Sequence, residues 1–292
     1  MLLQLAACTD IDTCEVIVVT DYKVLDSRQT FPMVRFIETT KKNIPFKRNR
    51  GIEASTADIV AFLDDDCIPD PTWILCGKTF LKENPAYCGV QGITSVPPAK
   101  NKTTSTQRFE RLSQPGFRTN NIFYRKSALL SIDLFDERFA FQREDSDLAF
   151  SLMEQGGSIA VSNTIRVTHC HRPKEPFDLL KNIVNRRFDP LLHKKHPALY
   201  RALIKTPITP TIIATGIIYG LLGALVYLSP QPFFPMIPLA LYLLLFTLRS
   251  RSTLINDPAL FWGELATSTI SPPLYFAIML YGSLKFRNLL LF

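Results

Sequence analysis

The order of apolar and polar positions divides the chain into two parts. Short apolar runs alternate with mixed, helix-compatible stretches over the first part, whereas the segment from Thr206 to Leu248 contains no charged residue. Runs rich in β-branched residues predict buried strands, and strands that alternate with helices are typical of an α/β domain with a largely parallel sheet. The pattern therefore predicts an α/β domain over residues 1–200 and a helical region over residues 201–292.

Three apolar runs predict strands in the first part of the α/β domain. Residues 14–22 and 33–37 form the first two runs, and residues 58–63 lead directly into the three aspartates at 64–66. Ligands of parallel α/β sheets bind beyond the carboxyl ends of the strands. Asp21, at the end of the first run, and the three aspartates are therefore expected to face the same crevice.

The stretches between and after these runs predict helices, a loop and a further strand. Short helices are expected at residues 48–57 and at Trp73–Glu83, the second of them after two prolines that break the chain. The polar stretch at residues 97–114 predicts a loop. The segment RTNNIFYR then predicts a strand, and KSALLSID predicts a helix.

A further helix is predicted to begin at Glu144 and Asp145 and to end at the glycine pair Gly156-Gly157. Acidic side chains stabilise the first turn of a helix, because the backbone N–H groups there point toward them. Helix capping is therefore a purely structural explanation of the acidic pair, and it stands beside a catalytic one.

The apolar last third predicts membrane spans at about 207–228 and 232–248, each long enough to cross a bilayer. A proline-rich turn separates them. A third run at about 265–284 contains Pro272 and Pro273, and it suits either a kinked span, which we favour, or a re-entrant element. A buried hairpin of a soluble protein is the alternative for the first two runs.

Composition and charge agree with this division. Of the 292 residues, 47% are hydrophobic, and the net charge of +7 arises partly from a basic segment between Arg172 and Lys205. Such a segment suits either a nucleic-acid surface or a collar against anionic lipid headgroups. The adjoining apolar third favours the collar. We therefore expect a multi-pass protein of the cell membrane with a cytosolic catalytic domain, membrane lipids as partners and no nucleic-acid partner.

The six cysteines are scattered, without a CxxC pair or zinc-like spacing, so no disulfide framework is predicted. The segment FLDDDCIPDP carries the strongest chemical signal. Adjacent carboxylates repel one another, and a hard divalent cation such as Mg²⁺ or Mn²⁺ relieves the repulsion. That cation can bridge a diphosphate and stabilise a departing nucleotide. The alternative is an acidic loop in which Asp66 or Asp70 caps the next helix.

Four segments, in this order, resemble the family 2 glycosyltransferases of the GT-A fold: EVIVVTDY, RNRGIEASTADIVAFLDDDCIPDPTWI, RTNNIFYRKSALLSIDLFDERFAFQREDSDLAFSLMEQGG and RVTH. The resemblance extends from the N-terminus to about Pro197. It implies a Rossmann-like, nucleotide-diphospho-sugar transferase domain followed by the C-terminal helical transmembrane region. Family members begin with a further strand, so the resemblance also predicts that a first strand is missing from this sequence.

The resemblance implies roles for individual residues. Donor contacts are expected from Asp21, Arg48, Asn49, Asp64, Asp65 and Asn121, with Asn120 as the alternative to Asn121. Within the DxD motif, Asp66 would hold Mn²⁺ or Mg²⁺ together with Asp64. His169 would complete the metal shell, with His171 as its substitute.

On the acceptor side, the resemblance implies that Asp145 is the general base, with Glu144 as the less favoured candidate and Asp147 as a supporting acid. Inverting transfer needs a base beside the acceptor and a cation beside the leaving group. Two acidic clusters far apart in the sequence supply those parts. The Gln-x-x-Arg-Trp element of processive synthases has no match, so transfer of a single sugar is favoured over polymerisation.

These observations predict an inverting, metal-dependent glycosyltransferase that moves a sugar from a nucleotide-sugar donor to a lipid-linked or cell-envelope glycan acceptor. Two alternatives remain at this point. One is a nucleotidyltransferase with a related sheet, although no glycine-rich phosphate loop is visible. The other is a catalytically degenerate GT-A-like membrane protein that acts as an interaction module.

Overall fold

The computed structural model describes residues 1–24, 29–97, 113–114, 116–170, 178–204, 210–228 and 236–290. The chain forms two compact units. The described part of the first runs from Met1 to Cys170, and that of the second from Asp178 to Leu290. Most of the loop predicted at residues 97–114, the proline-rich turn and His171 lie outside the described residues. The predicted boundary near residue 200 stays a prediction.

The first unit alternates strands and helices, as predicted. Its elements in chain order are α1 (Leu2–Ala6), β1 (Val16–Thr20), β2 (Val34–Glu38), α2 (Ile44–Ala54), β3 (Ile59–Leu63), β4 (Cys67–Pro69), α3 (Trp73–Glu83), β5 (Gly89–Ser95), β6 (Asn121–Arg125), α4 (Lys126–Ser131), α5 (Glu144–Glu154) and β7 (Ile159–His169). Among these, α3 has the predicted bounds, and α5 begins at the predicted acidic pair.

The sheet arrangement differs from the prediction. Strands β1 and β2 form a parallel pair, and the other five strands form a mixed sheet in the order β3-β6-β5-β7-β4. Within the mixed sheet only β5 and β7 are parallel, whereas the other three pairings are antiparallel. The prediction of a largely parallel sheet is therefore wrong. It overlooked β4 and β5, because neither has the β-branched run by which the other strands were recognised.

Helix α2 begins four residues before the predicted start, at Ile44, and a local cap explains the difference. The Asn43 side-chain oxygen accepts a hydrogen bond from the Phe46 N–H at 2.8 Å, and Pro45 occupies the first turn. Asparagine caps satisfy one of the free N–H groups of a helix start, and proline fits a position that needs no donor. The cap fixes where Lys47 and Arg48 lie on the helix.

Strand β6 lies between β3 and β5, and its side chains alternate between two apolar layers. Phe123 packs with Trp73 of α3 in one cluster of buried residues. Ile122 and Tyr124 pack on the other face, in the cluster that contains Leu148 of α5. Helices therefore cover both faces of the mixed sheet, and the strand ends are left to carry the polar residues.

A bulge separates two stretches of the parallel pair β5 and β7. Gly92 is paired with Ser162, but the next residue, Ile93, is paired with Arg166, so residues 163–165 are extra on β7. The Asn121 side-chain amide donates to the Ile93 carbonyl at 3.0 Å and to the Ile165 carbonyl at 3.3 Å. A bulge interrupts the regular ladder of hydrogen bonds, and this amide satisfies the carbonyls there.

The second unit is helical. Its elements are α6 (Asp178–Asn185), a 3₁₀ turn (Arg186–Phe188), α7 (Asp189–Lys195), α8 (Pro197–Leu199), a π-helical turn (Tyr200–Ile204), α9 (Pro210–Leu228), α10 (Met236–Arg249), α11 (Arg251–Asn256) and α12 (Pro258–Phe286). Helix α12 runs continuously through Pro272 and Pro273. Within the described residues, no helix meets both the length and the hydropathy needed to cross a bilayer. The predicted spans are therefore not confirmed.

The close packing at the bulge generates a stability prediction. A Cβ atom on Gly92 would lie 2.2 Å from the Ile165 carbonyl oxygen and 2.4 Å from Asn121 Nδ2. We expect Gly92→Ala to lower the free energy of unfolding by about 1–3 kcal/mol or more, because neither neighbour can move without losing the hydrogen bond between them. Urea denaturation followed by the fluorescence of buried Trp73 measures the change.

Gly51→Ala is the matched control. Gly51 lies inside α2, and a Cβ there meets only Val19 at 3.7 Å, an ordinary contact. Alanine favours a helix interior over glycine, so this variant should gain up to about 1 kcal/mol. Equal effects of the two substitutions would contradict the assigned packing.

Candidate active site

Two consecutive cations of α2 contact acidic residues from separate parts of the first unit. Lys47 Nζ donates to Asp21 Oδ1 at 2.8 Å. Arg48 Nη1 donates to Glu144 Oε1 at 2.9 Å and to Asp145 Oδ1 at 3.0 Å, and Arg48 Nη2 lies 3.8 Å from Asp64 Oδ1. Arg48 therefore joins the aspartate that follows β3 to the acidic pair at the start of α5. We call Arg48, Asp64, Glu144 and Asp145 the arginine cluster.

The Arg48 side chain is only 17% exposed, and its guanidinium lies 5.5 Å from the centre of the Phe135 ring. Burial opposes the charge of Arg48, but Asp145, Glu144 and Asp64 outweigh that effect and raise its pKa. Lys47 contacts Asp21, and its hydrogen bond lowers the pKa of that carboxyl group. Arg48 therefore remains a charged partner of its three carboxyl groups, and Lys47 forms an ion pair with Asp21.

The carboxyl groups of the arginine cluster differ in protonation. Burial, together with the nearby Asp145, raises the pKa of Glu144 to about 7 although Arg48 opposes the change. Burial likewise raises the pKa of Asp64 to about 6, against the effect of Arg48 and with contributions from Asp145 and Asp66. Near neutral pH the cluster therefore tends to retain a proton, and Glu144 holds it most strongly.

Asp145 is held in place from two sides. The Thr119 backbone N–H donates to Asp145 Oδ2 at 3.2 Å, and the Thr119 hydroxyl donates to Oδ1 at 3.0 Å. The residue two positions earlier, Arg143, has a φ of 76°, in the left-handed region that non-glycine residues rarely adopt. Asp147 is buried in the same first turn of α5. The carboxylate of Asp145 thus has a fixed orientation with both oxygens hydrogen-bonded.

A second group of side chains forms where β4 is paired with β7. Cys67 lies directly opposite His169, and the Cys170 N–H donates to the Asp66 carbonyl at 2.8 Å. One Asp66 carboxylate oxygen lies 3.4 Å from His169 Nε2. These two atoms and Cys67 Sγ all lie within 4.8 Å of one another. We call Asp66, Cys67 and His169 the metal group.

The orientation of His169 suits a metal ligand. Its Nδ1 lies 3.0 Å from the Cys170 carbonyl oxygen, which can only accept a hydrogen bond. Nδ1 therefore carries a proton, and Nε2 faces the Asp66 carboxylate, where its lone pair would be available to a cation. A backbone carbonyl on the distal nitrogen is the usual support of a metal-binding histidine.

The types of ligand atom in the metal group show which of the expected cations fits better. An imidazole nitrogen and a carboxylate oxygen fit Mn²⁺, whereas Mg²⁺ prefers oxygen ligands alone. Asp66 and His169 therefore fit a divalent cation, and Mn²⁺ better than Mg²⁺. Asp64 is not part of the metal group as the described residues define it, and its carboxylate faces Arg48 instead.

Two predicted donor ligands use their amides inside the protein. Asn49 exchanges two hydrogen bonds, each of 2.9 Å, with the backbone of Phe135. Asn121 accepts from Trp73 Nε1 at 2.8 Å, in addition to its bonds to the bulge carbonyls. Both side chains are buried, and their hydrogen bonds hold neighbouring segments of the chain together. Asp65 is exposed in the turn between β3 and β4. The donor contacts assigned to these residues stay predictions.

Of the two adjacent asparagines, Asn120 lies beside the metal group. Its Nδ2 is 4.0 Å from Cys67 Sγ and donates to the Thr94 hydroxyl at 3.1 Å. Sequence reasoning also missed Thr119 and Cys67 as members of the site. A thiol next to the DxD motif was visible in the sequence, but only the pairing of β4 with β7 brings it to the histidine. All six cysteines are free thiols, as predicted.

The comparisons with known proteins add one positive finding. Residues 2–139 match a family model described as Glycosyl transferase family 2. The comparison with curated proteins found no significant match. The matched residues include Arg48, Asp64 and Asp66 and end before the acidic pair of α5. The match supports glycosyltransferase activity.

The raised pKa of Glu144 generates a prediction about stability and pH. A folded-state pKa of about 7, above the usual 4.5, means that the folded protein binds this proton more tightly than the unfolded chain. Stability is therefore lost as the pH rises from about 4.5 to 7. The glutamine side chain of Glu144→Gln does not titrate. The free energy of unfolding of the wild type should therefore fall by at least about 1 kcal/mol relative to that of the variant across this range. Denaturation at a series of pH values measures it.

Glu83→Gln, at an exposed position of α3, is the matched control and should follow the wild-type curve. A constant difference between wild type and Glu144→Gln over the whole pH range would show that the pKa of Glu144 is the same in the folded and unfolded protein, and would contradict the prediction.

Proposed function

Because residues 2–139 match the model of the family 2 glycosyltransferases, we propose that the protein transfers one sugar from a nucleotide-sugar donor to an acceptor oxygen, with inversion at the anomeric carbon. The observation that carries the proposal is the arginine cluster. One buried cation links Asp145, a candidate base, to Asp64, which lies two residues from Asp66 of the metal group. The parts that inverting transfer needs are thus close in the fold.

On the donor side, Asp66 and His169 would hold the divalent cation, which supplies positive charge to the diphosphate of the leaving nucleotide. Asp64 and Arg48 would contact the nucleotide from the end of β3, and Asp21 from the end of β1. The ion pair of Asp21 with Lys47 supports this placement, because it fixes the acid at the end of its strand.

On the acceptor side, Asp145 would accept the proton of the acceptor hydroxyl. Its two hydrogen bonds from Thr119 hold the carboxylate in one orientation. Glu144 holds a proton near neutral pH more readily than an ordinary carboxyl group does, because burial and the nearby Asp145 raise its pKa to about 7.

The acceptor is proposed to be lipid-linked or part of a cell-envelope glycan, with the catalytic domain on the cytosolic side of the cell membrane. The support comes from the second unit. It exposes large apolar side chains on α9 and α12, among them Ile217 (59% exposed), Tyr227 (89%) and Leu284 (71%). A contiguous exposed apolar surface commonly marks contact with a membrane or another protein.

Two variants test the division of roles. Asp66→Ala should weaken Mn²⁺-dependent binding of the nucleotide-sugar by at least about 100-fold, because a direct ligand is lost. Asp145→Asn should keep donor binding and lower kcat by about 10²–10⁴, because only the base is lost. Calorimetric titration with UDP-, GDP- and dTDP-sugars, with and without Mn²⁺, gives the affinities and identifies the nucleotide. Assays with candidate acceptors give the turnover.

Asp58→Asn is the control, since Asp58 is exposed before β3 and outside both groups. Donor binding without turnover on any acceptor would favour an interaction module. Release of diphosphate with attachment of the nucleotide would favour a nucleotidyltransferase. Metal-independent binding that survives Asp66→Ala would contradict the assigned donor site.

The membrane proposal has a separate test. The full chain, expressed in cells, should sediment with membranes after an alkaline carbonate wash, because burial of the exposed apolar side chains in lipid opposes extraction. Protease added to intact, right-side-out membrane preparations should leave the first unit uncut if that unit is cytosolic. Complete release into the carbonate supernatant would rule out the membrane location and leave the transferase proposal intact.

A further inference from the structure

The proposed transfer makes no use of the Cys67 thiol. Cys67 is completely buried on β4, and its sulfur completes the metal group with the Asp66 carboxylate and His169 Nε2. The other five thiols lie outside this group. A thiol in that position changes the chemistry of the donor set, because sulfur is a poor ligand for the hard cations that a carboxylate alone would select.

The spacing of the three donor atoms suits a single cation. Metal–sulfur and metal–nitrogen bonds to Zn²⁺ are about 2.3 and 2.1 Å long, so two ligands of one tetrahedral ion lie roughly 3.6 Å apart. The three donors are all within 4.8 Å of one another, so they approach by up to about 1 Å when one ion binds all of them. Carboxylate, imidazole and thiolate are also the three ligand types that Zn²⁺ sites use.

Two hydrogen bonds support this set of ligands. The contact of His169 Nδ1 with the Cys170 carbonyl leaves Nε2 as the metal-facing atom. Asn120 Nδ2 lies 4.0 Å from Cys67 Sγ and directs an N–H group toward the sulfur. The antiparallel pairing of Cys67 with His169 fixes both ligands on rigid strands rather than on a loop. The site is therefore preorganised by backbone pairing.

We propose that Asp66, Cys67 and His169 bind Zn²⁺ in preference to Mn²⁺ and Mg²⁺, with Cys67 as the residue that determines the preference. On binding, the thiol loses its proton to solvent and the sulfur becomes a ligand. For sites of nitrogen, oxygen and sulfur ligands, Zn²⁺ binds more tightly than Mn²⁺ in general, and a thiolate widens the difference. This proposal rests on the proposed function in one point only, which is that Mn²⁺ uses Asp66 and His169 as its ligands.

Co²⁺ is the spectroscopic probe. Titration of the purified full chain with Co²⁺ should produce the near-ultraviolet charge-transfer band of a cobalt–thiolate bond, and Zn²⁺ should remove the band by displacement. Cys67→Ser should abolish the band and lower the Zn²⁺ affinity at least about tenfold while the Mn²⁺ affinity is kept, because only the soft ligand is lost. Cys88→Ser, a half-buried thiol bonded to the Ser158 carbonyl, and Cys14→Ser, an exposed thiol, should both retain the band.

A measurement on the wild-type protein tests the proposal even if the Cys67→Ser variant fails to fold. X-ray absorption of the Zn²⁺-loaded protein should show one sulfur neighbour at about 2.3 Å beside nitrogen and oxygen neighbours. Absence of a sulfur neighbour, or a cobalt band that persists in folded Cys67→Ser, would overturn the proposal.

The test also separates this proposal from the proposed function. A sulfur-ligated Zn²⁺ site in a protein that binds no nucleotide-sugar would defeat only the transferase mechanism. Mn²⁺-dependent donor binding without any sulfur ligand to Zn²⁺ would defeat only the inference about Cys67.

Discussion

The buried guanidinium of Arg48 contacts Asp64, Glu144 and Asp145, which come from two distant segments of the chain. A charge held away from water is stable only when it is paired, so each segment needs the others to be in place. The cap at Asn43 fixes the start of α2 and thereby the position of Arg48. The positions of Asp145, the proposed base, and of Asp64 both depend on that one side chain.

Three carboxyl groups around one guanidinium carry an excess of negative charge. The protein reduces it by leaving a proton on Glu144, whose pKa is raised by burial and by Asp145. Asp66 lies in a separate group with an imidazole, where a divalent cation would supply the missing positive charge. The division of the acids between two groups would therefore let the arginine cluster accept a proton while the metal group holds a cation, as proposed above.

Sequence reasoning succeeded where a residue's role follows from its neighbours in the chain. A helix was predicted near Trp73 to Glu83, where α3 lies, and the acidic pair does begin α5. Sequence reasoning failed where the hydrogen-bond partner of a residue is distant in the sequence. Asn49 and Asn121 are polar and lie within the family motifs, but their amides bind the backbone of Phe135 and of the bulge. Strand β4 has only three residues and ends in proline, so its pairing with β7 was not visible in the sequence.

The bulge between β5 and β7 moves the buried side of β7 from even-numbered to odd-numbered positions. Ser162 is paired with Gly92 and Val167 with Thr94, and Gly92 and Thr94 lie on one face of β5, so Ser162 and Val167 face the same side although they are five positions apart. His169 lies two residues after Val167 and therefore faces that side as well. The extra residues 163–165 absorb the change of alternation, and the side of the sheet that the imidazole occupies is set by the pairing of β7 with β5 and β4 beyond the bulge.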